Sequence, residues 1–268
     1  MAIDISRMRT IKATQPPRTL IYGPPGMGKT TLASEWPDPV FLQAEDGTPA
    51  GLELVSFGHL STFDEVMGCL AALYNENSDR KTVVLDSLDR LEPMVWAKTC
   101  SVRGWETIET PGYGKGYAES DHVWRELIEG MNALRYERNM NIVYVAHSTI
   151  VTIDDPMTQS YSRFDIRLHK RAMAIFQDEV DVILFLNQDV VVKAETAKKG
   201  ARTRADGGGN RWIYAAPRPA FVAKNRYGIA DKLVFERGKG YQMISPSFPQ
   251  QPQPKEQTKE EATTTQAA

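Results

Sequence analysis

Cysteine is scarce in this chain of 268 residues: only Cys69 and Cys100 occur. Two thiols do not make a disulfide framework, and with four scattered histidines they give no zinc-ligand spacing. A reduced, cytoplasmic setting is the default expectation. Long apolar runs are lacking as well. The strongest, Val182-Ile183-Leu184-Phe185-Leu186, falls far short of the ~20 residues that span a bilayer. No apolar h-region precedes Pro17, so neither a secretion signal nor a membrane partner is expected. An excess of charge of one sign is missing too, the formal net charge being −2. A nucleic-acid partner would therefore have to meet local positive charge, not a general basic field. No internal repeat is visible. A 41% hydrophobic content over this length suits one α/β domain with short appendages. The expected organisation is a lead-in at 1–18, a core at 19–244 and a Pro/Gln/Thr-rich tail at 245–268. The tail has too little apolar surface to order itself.

What is present centres on Gly23-Pro24-Pro25-Gly26-Met27-Gly28-Lys29-Thr30, followed by Thr31. The stretch fits G-x-x-x-x-G-K-[ST], the phosphate-cradling loop of nucleoside triphosphatases. Thr19-Leu20-Ile21-Tyr22 reads as a short buried strand before it, and the residues after it open a helix that Pro37 ends. Glycines let backbone N–H groups turn inward around an anion, and the helix N-terminus adds partial positive charge. Lys29 is placed to reach the β- and γ-phosphates, and the Thr30 hydroxyl to hold Mg²⁺.

Further strands aim polar residues at the same rim, since ligands of open α/β sheets sit outside the carboxyl ends of strands. Residues 39–47 read as a buried strand closing on Glu45 and Asp46. Thr62 and Glu65 make a capping box for a helix over 62–74 with Phe63, Val66, Leu70 and Leu73 on one face. Thr82-Val83-Val84-Leu85-Asp86-Ser87 is a strand whose Asp86 fits a Mg²⁺-binding position, and a helix follows over 88–100. Residues 141–148 form another strand, ending near His147, which lies beside the strand end of Asp86 and can touch a γ-phosphate. Two stretches read as long loops: 101–117, with Arg103, Tyr113, Lys115 and Tyr117, and 149–168, with Tyr161, Arg163 and Phe164. Between them lies a helix over 118–138. After a helix at 169–177, two strands at 181–186 and 189–192 are joined by a turn. A basic hairpin tip then carries Lys198, Lys199, Arg202 and Arg204, and residues 211–215 return as a strand. Lys224 and Arg226 are two residues apart, so in an extended chain they share a side and suit an anion supplied from elsewhere.

Taken together, these motifs resemble the RecA-like branch of P-loop ATPases over roughly residues 18–240. More narrowly they are similar to phage-encoded recombinases of the RecA-core single-strand annealing type, the Sak group. The resemblance implies a mainly parallel α/β sheet flanked by helices, with a C-terminal antiparallel hairpin extension. It implies ATP and Mg²⁺ as cofactors, and slow ATP hydrolysis with Glu45 as the catalytic glutamate. In it His147 senses the γ-phosphate, where RecA itself has glutamine. Lys224 and Arg226 would reach into a neighbouring subunit's ATP, in a homo-oligomeric filament or ring. The two loops would occupy the places of DNA-binding loops. Arg103, Lys115, Arg163 and the 198–204 cluster would then meet the backbone of single-stranded DNA. Tyr113, Tyr117, Tyr161 and Phe164 would stack on bases, at ~1–3 kcal/mol each, or else pack within their loops. The tail, with Phe248, is a candidate contact for a single-strand-binding protein. Two other readings use the same nucleotide site: a motor or loader ATPase acting on a protein partner, and a nucleotide-gated binding module with little turnover.

Overall fold

A computed structural model describes residues 14–76, 78–193 and 204–249. In chain order the elements are β1 (Arg18–Gly23), α1 (Lys29–Ala33), β2 (Pro39–Gln43), β3 (Ser56–His59), α2 (Phe63–Asn75), β4 (Thr82–Asp86), α3 (Leu88–Arg103) and α4 (Lys115–Glu137). They continue with β5 (Asn141–Ile153), β6 (Tyr161–Ile166), α5 (Lys170–Glu179), β7 (Val182–Lys193), β8 (Arg204–Tyr214), β9 (Lys224–Asn225), β10 (Lys232–Val234) and α6 (Gly240–Ile244). The sheet order is β10-β8-β7-β1-β5-β4-β2-β3. Neighbours from β7 to β3 run parallel, and β8 and β10 add on antiparallel. The expected α/β architecture with an antiparallel C-terminal extension is what the chain adopts.

Strand alternation builds two cores. Leu20, Tyr22, Leu42, Leu85 and Tyr144 face α2 to α5. Their neighbours Ile21, Phe41, Val84, Val143 and Val145 face α1 and α6. Both faces of the central strands are covered, so those strands read as unbroken apolar runs rather than as alternating ones. A one-residue slip in any of them would exchange the two cores. α2 begins as its sequence dictates: the Thr62 hydroxyl accepts from Glu65 N at 3.2 Å, and the Glu65 carboxylate accepts from Thr62 N at 3.1 Å. Phe63, Val66, Leu70 and Leu73 are its buried face.

Register brings four strand ends to one rim. Gly23 lies opposite His147, and Gln43 opposite Asp86. β5 separates the strand that carries the glycine loop from the strand that carries Asp86. At the other end of the sheet, buried Asp181 gathers arginines. It accepts from Arg18 Nη2 at 3.1 Å, Arg226 Nη1 at 3.1 Å and Arg135 Nη2 at 3.4 Å. Burial works against its charge, but the hydrogen bonds and charge of Arg18 prevail and hold the carboxyl below the usual range.

Four expectations change. The loop at 149–168 is a β-hairpin: β5 runs on to Ile153 and pairs antiparallel with β6, leaving only 154–160 as the turn. The β-branched run Thr149-Ile150-Val151-Thr152-Ile153 explains this, because such side chains favour the pleated strand. The turn between 186 and 189 is absent; β7 is continuous and absorbs a register shift between Gln188 and Val190. The loop at 101–117 shrinks to 104–114, because α3 extends to Arg103 and α4 starts at Lys115. Gly104 and Gly114, both left-handed, mark those helix ends. Finally, the expected tail starts too early. Ser245–Ser247 is a turn of 3₁₀ helix, and Phe248 is buried against Trp36, Tyr227 and Tyr241. Residues 250–268 and the basic tip with Lys198, Lys199 and Arg202 lie outside the described residues, as does the side chain of Arg204. No helix among the described residues is long and apolar enough to cross a membrane.

Candidate functional site

The glycine loop leaves β1 through two close approaches that exclude a side chain. A Cβ on Gly23 would sit 2.2 Å from Leu186 O. Gly28, the N-cap of α1, has φ 96°, and a Cβ there would sit 2.7 Å from the Phe235 ring. That geometry belongs to glycine alone. α1 opens on Lys29 with no side-chain cap, so its first N–H groups face the loop and not a carboxylate. A Cβ on Gly26, at φ 77°, would meet nothing within 4 Å, which leaves its face of the loop open.

Lys29 is 6% exposed, and its ammonium donates to Pro24 O at 3.1 Å. Burial pulls its pKa down, with Asp86, Asp89 and Glu45 acting in opposition. The Thr30 hydroxyl donates to Asp86 Oδ2 at 2.7 Å. Asp86 is itself 8% exposed, and burial pushes its carboxyl up against the Thr30 hydrogen bond. A hydroxyl and a carboxylate meeting beneath a buried ammonium are hard oxygen donors of the kind Mg²⁺ takes. Among the described residues no group of three His, Cys, Asp or Glu side chains forms an all-protein metal cage.

Across the rim, Glu45 follows β2, and its Oε2 accepts from Ser87 Oγ at 3.3 Å. His147 Nδ1 lies 3.9 Å from the same oxygen. The residue that fixes His147 is Asp89, on the first turn of α3. Its Oδ1 accepts from His147 N at 2.8 Å, and its Oδ2 lies 3.1 Å from His147 Nδ1. Arg167, just past β6, also donates to Asp89. Burial disfavours the Asp89 charge, but the hydrogen bonds from His147 and Arg167 outweigh it and hold the carboxyl well below the carboxylate range. Lys29, Thr30, Glu45, Asp86 and His147 line a cavity of about 370 Å³, which Gln43 and Arg211 also line.

The sequence reading missed Asp89, Arg167, Gln43 and Arg211. For Arg211 a signal existed. It stands two residues before buried Ile213, so strand alternation puts it on the face that packs on α1, one step beyond the core. Asp89 falls in the first turn of a helix, and nothing local distinguishes it from an ordinary first-turn acid.

Lys224 and Arg226 do not meet this cavity in their own chain. β9 pairs with β7 at Val182 and Ile183, toward the opposite end of the sheet. The Lys224 ammonium donates to the carbonyls of Gln177, at 2.6 Å, and Asp178, at the C-terminus of α5. Arg226 is a spoke of the Asp181 cluster. The nucleic-acid candidates divide. Tyr113 is fully exposed with φ 50°, and Lys115 is exposed at the start of α4. Tyr117 is engaged within the fold: its ring stacks on His169 at 4.2 Å and 15°, and its hydroxyl donates to Glu109 at 2.5 Å. Phe164 packs on Phe185 at 5.3 Å, Arg163 pairs with Asp165 at 2.8 Å, and Arg103 pairs with Glu119. Tyr161 opens β6 opposite Ile153 and is partly exposed. Tyr113 and Tyr117 share a cavity of about 420 Å³ with His169, Lys170 and Arg171.

No curated protein matches this chain. Among solved structures it is similar in fold to the RadB recombinase, with 15% identity and a TM-score of 0.43 over 75% of this chain and 81% of that one. The family model described as an AAA domain (AAA_24) matches residues 15–227, from just before β1 to just after β9. With the glycine loop, its buried lysine and the Thr30–Asp86 pair inside that span, the chain belongs to the AAA domain family.

Proposed function

We propose that this protein binds ATP with Mg²⁺ in the rim cavity and hydrolyses it, and that the nucleotide state governs its assembly on single-stranded DNA for annealing or strand pairing. The observation that carries the nucleotide reading is the Thr30–Asp86 hydrogen bond beneath buried Lys29. Lys29 and the loop amides hold the phosphates. Thr30 and Asp86 are the groups that would hold Mg²⁺, which when bound supplies positive charge to the polyphosphate. Glu45 takes the proton of a water that attacks the γ-phosphorus. The bond from that phosphorus to the bridging oxygen breaks, and its electron pair leaves with ADP. His147, fixed by Asp89, presents its ring to the departing phosphoryl oxygens. Groups held in place by such hydrogen bonds make electrostatic stabilisation effective, because little reorganisation is needed as the reaction proceeds.

A DNA partner is supported by the second cavity, where an exposed tyrosine and a stacked Tyr117–His169 pair stand beside Lys170, with Arg171, paired to Asp121, and Glu109 also on the lining. Aromatic faces with local cations suit bases and phosphates of a single strand. Lys224 and Arg226 lie away from their own chain's cavity, so any contact they make with a triphosphate is with that of a second copy in an oligomer. The test is phosphate release by wild type and Lys29→Ala, with and without single-stranded DNA. ATP-dependent release that the variant loses, and that DNA stimulates, is expected. Wild type that neither binds nor cleaves ATP better than Lys29→Ala refutes the nucleotide reading. ATPase activity without ATP-dependent retention on DNA at moderate salt refutes the DNA reading and leaves a protein partner in its place.

A further inference from the structure

We infer that Arg211 is the second cation of the nucleotide cavity, supplied by the same chain, and that it binds the polyphosphate in the ground state. The inference rests on the nucleotide reading above and deepens it.

Charge supplies the first argument. The cavity lining carries two acids, Glu45 and Asp86, and two basic side chains, Lys29 and Arg211. Without Arg211 the lining is net negative, and a polyphosphate would enter against an unfavourable field. With Arg211 the protein charges balance, and the anion is met by the loop amides and by any Mg²⁺. Placement supplies the second argument. A Cβ built on Gly28 would lie 3.5 Å from Arg211 Nη1, so the guanidinium stands over the loop itself. Its main chain is pinned from two sides. Arg211 pairs with Gln188 across the β7–β8 ribbon, and its carbonyl accepts from Phe235 N at 2.8 Å. The ring of that same Phe235 lies beneath Gly28, so the ribbon and the loop share one packing contact. The third argument is availability. The side chain is exposed, and no acid of the described residues holds it, whereas Arg167 is tied to Asp89 and Arg226 to Asp181. An arginine held at its backbone and open at its fork is preorganised to grip phosphate oxygens in pairs.

The position also separates binding from chemistry. Arg211 abuts Gly28, whereas Glu45 is tied to Ser87 beside Asp86. Arg211 therefore grips the part of the polyphosphate that ADP and ATP share, and its contribution appears in affinity.

The experiment measures Kd for ADP, ATP and inorganic tripolyphosphate by calorimetry, with steady-state kcat and KM, for wild type, Lys29→Ala, Arg211→Ala and Arg211→Lys. Because the Arg211 side chain is exposed and pairs with no acid of the described residues, Arg211→Ala should melt at the wild-type temperature. A charge-assisted hydrogen bond is worth ~1.5–3 kcal/mol, or ~10- to 100-fold in Kd. Arg211→Ala is expected to weaken all three probes by a common factor in that range, with the loss in KM rather than kcat. Arg211→Lys should recover part of it, since charge returns without the fork. Wild-type affinity in Arg211→Ala, or a loss in kcat with Kd unchanged, overturns the inference. The nucleotide reading fails separately: wild type and Lys29→Ala would then be alike in binding none of the probes.

Discussion

Glu92 offers a quantitative test of the packing behind the site. It sits one turn beyond Asp89 on α3, is 8% exposed, and accepts from His169 N at 2.8 Å. Among the described residues no cation is paired with it. Burial, offset in part by the His169 hydrogen bond, pushes its pKa to about 7 from 4.5. The protonated form is thus favoured in the folded state, and folding takes up a proton between those two values. The folded state binds more protons than the unfolded one there, so stability falls as pH rises from 4.5 to 7 and levels off above. Integrating the linkage gives about 1 kcal/mol lost by pH 5 and about 3 kcal/mol lost by pH 8. Glu92→Gln keeps an oxygen for His169 N and removes the ionisation. Urea unfolding of both proteins, followed by tryptophan fluorescence from pH 5 to 8, isolates this group, because every other titration cancels in the difference. The variant should gain about 2 kcal/mol on wild type across that range. A difference constant with pH would refute the assignment of a carboxylate buried without a countercharge.

Two further outcomes follow from the site. Glu45→Gln should lower the rate of phosphate release by ~10²- to 10⁴-fold while ATP affinity holds, because the amide keeps the Ser87 contact but takes no proton; unchanged release in that variant would remove Glu45 from the chemistry. Lys224→Ala with Arg226→Ala should abolish any rise of turnover per protomer with protein concentration, without weakening ATP binding; turnover independent of concentration in wild type would leave both residues with the structural partners described for them.

Legibility in the sequence followed the range of the interactions. The glycine loop, the capping box of α2 and the apolar strand ending in Asp86 are local patterns, and each formed as read. The β5–β6 hairpin was hidden because its strands mix Ser, Thr and Asp with apolar residues, a composition shared with loops. Strand alternation gives the face on which Arg211 lies, but its arrival at the cavity depends on the β7–β8 register and the contact with Phe235, both of which are long-range. Asp89 and Arg167 meet from positions 78 residues apart. Phe248 was lost in the average of its neighbours, although one aromatic ring was enough to anchor the chain beyond α6.

That anchor bears on the order in which a ribosome delivers the parts. α1 has five residues, too few to persist as an isolated helix in water. Its outer side is clasped by the last stretch of the fold: Glu35 accepts from Gly238 N and Tyr241 N, Gly240 abuts Leu32, and Trp36 meets Tyr241 and Phe248. The phosphate cradle is encoded among the first thirty or so residues but has no scaffold until roughly the two hundred and fortieth has emerged. A nascent chain therefore stays blind to nucleotide until the clasp at residues 238–248 has left the ribosome and closed on α1.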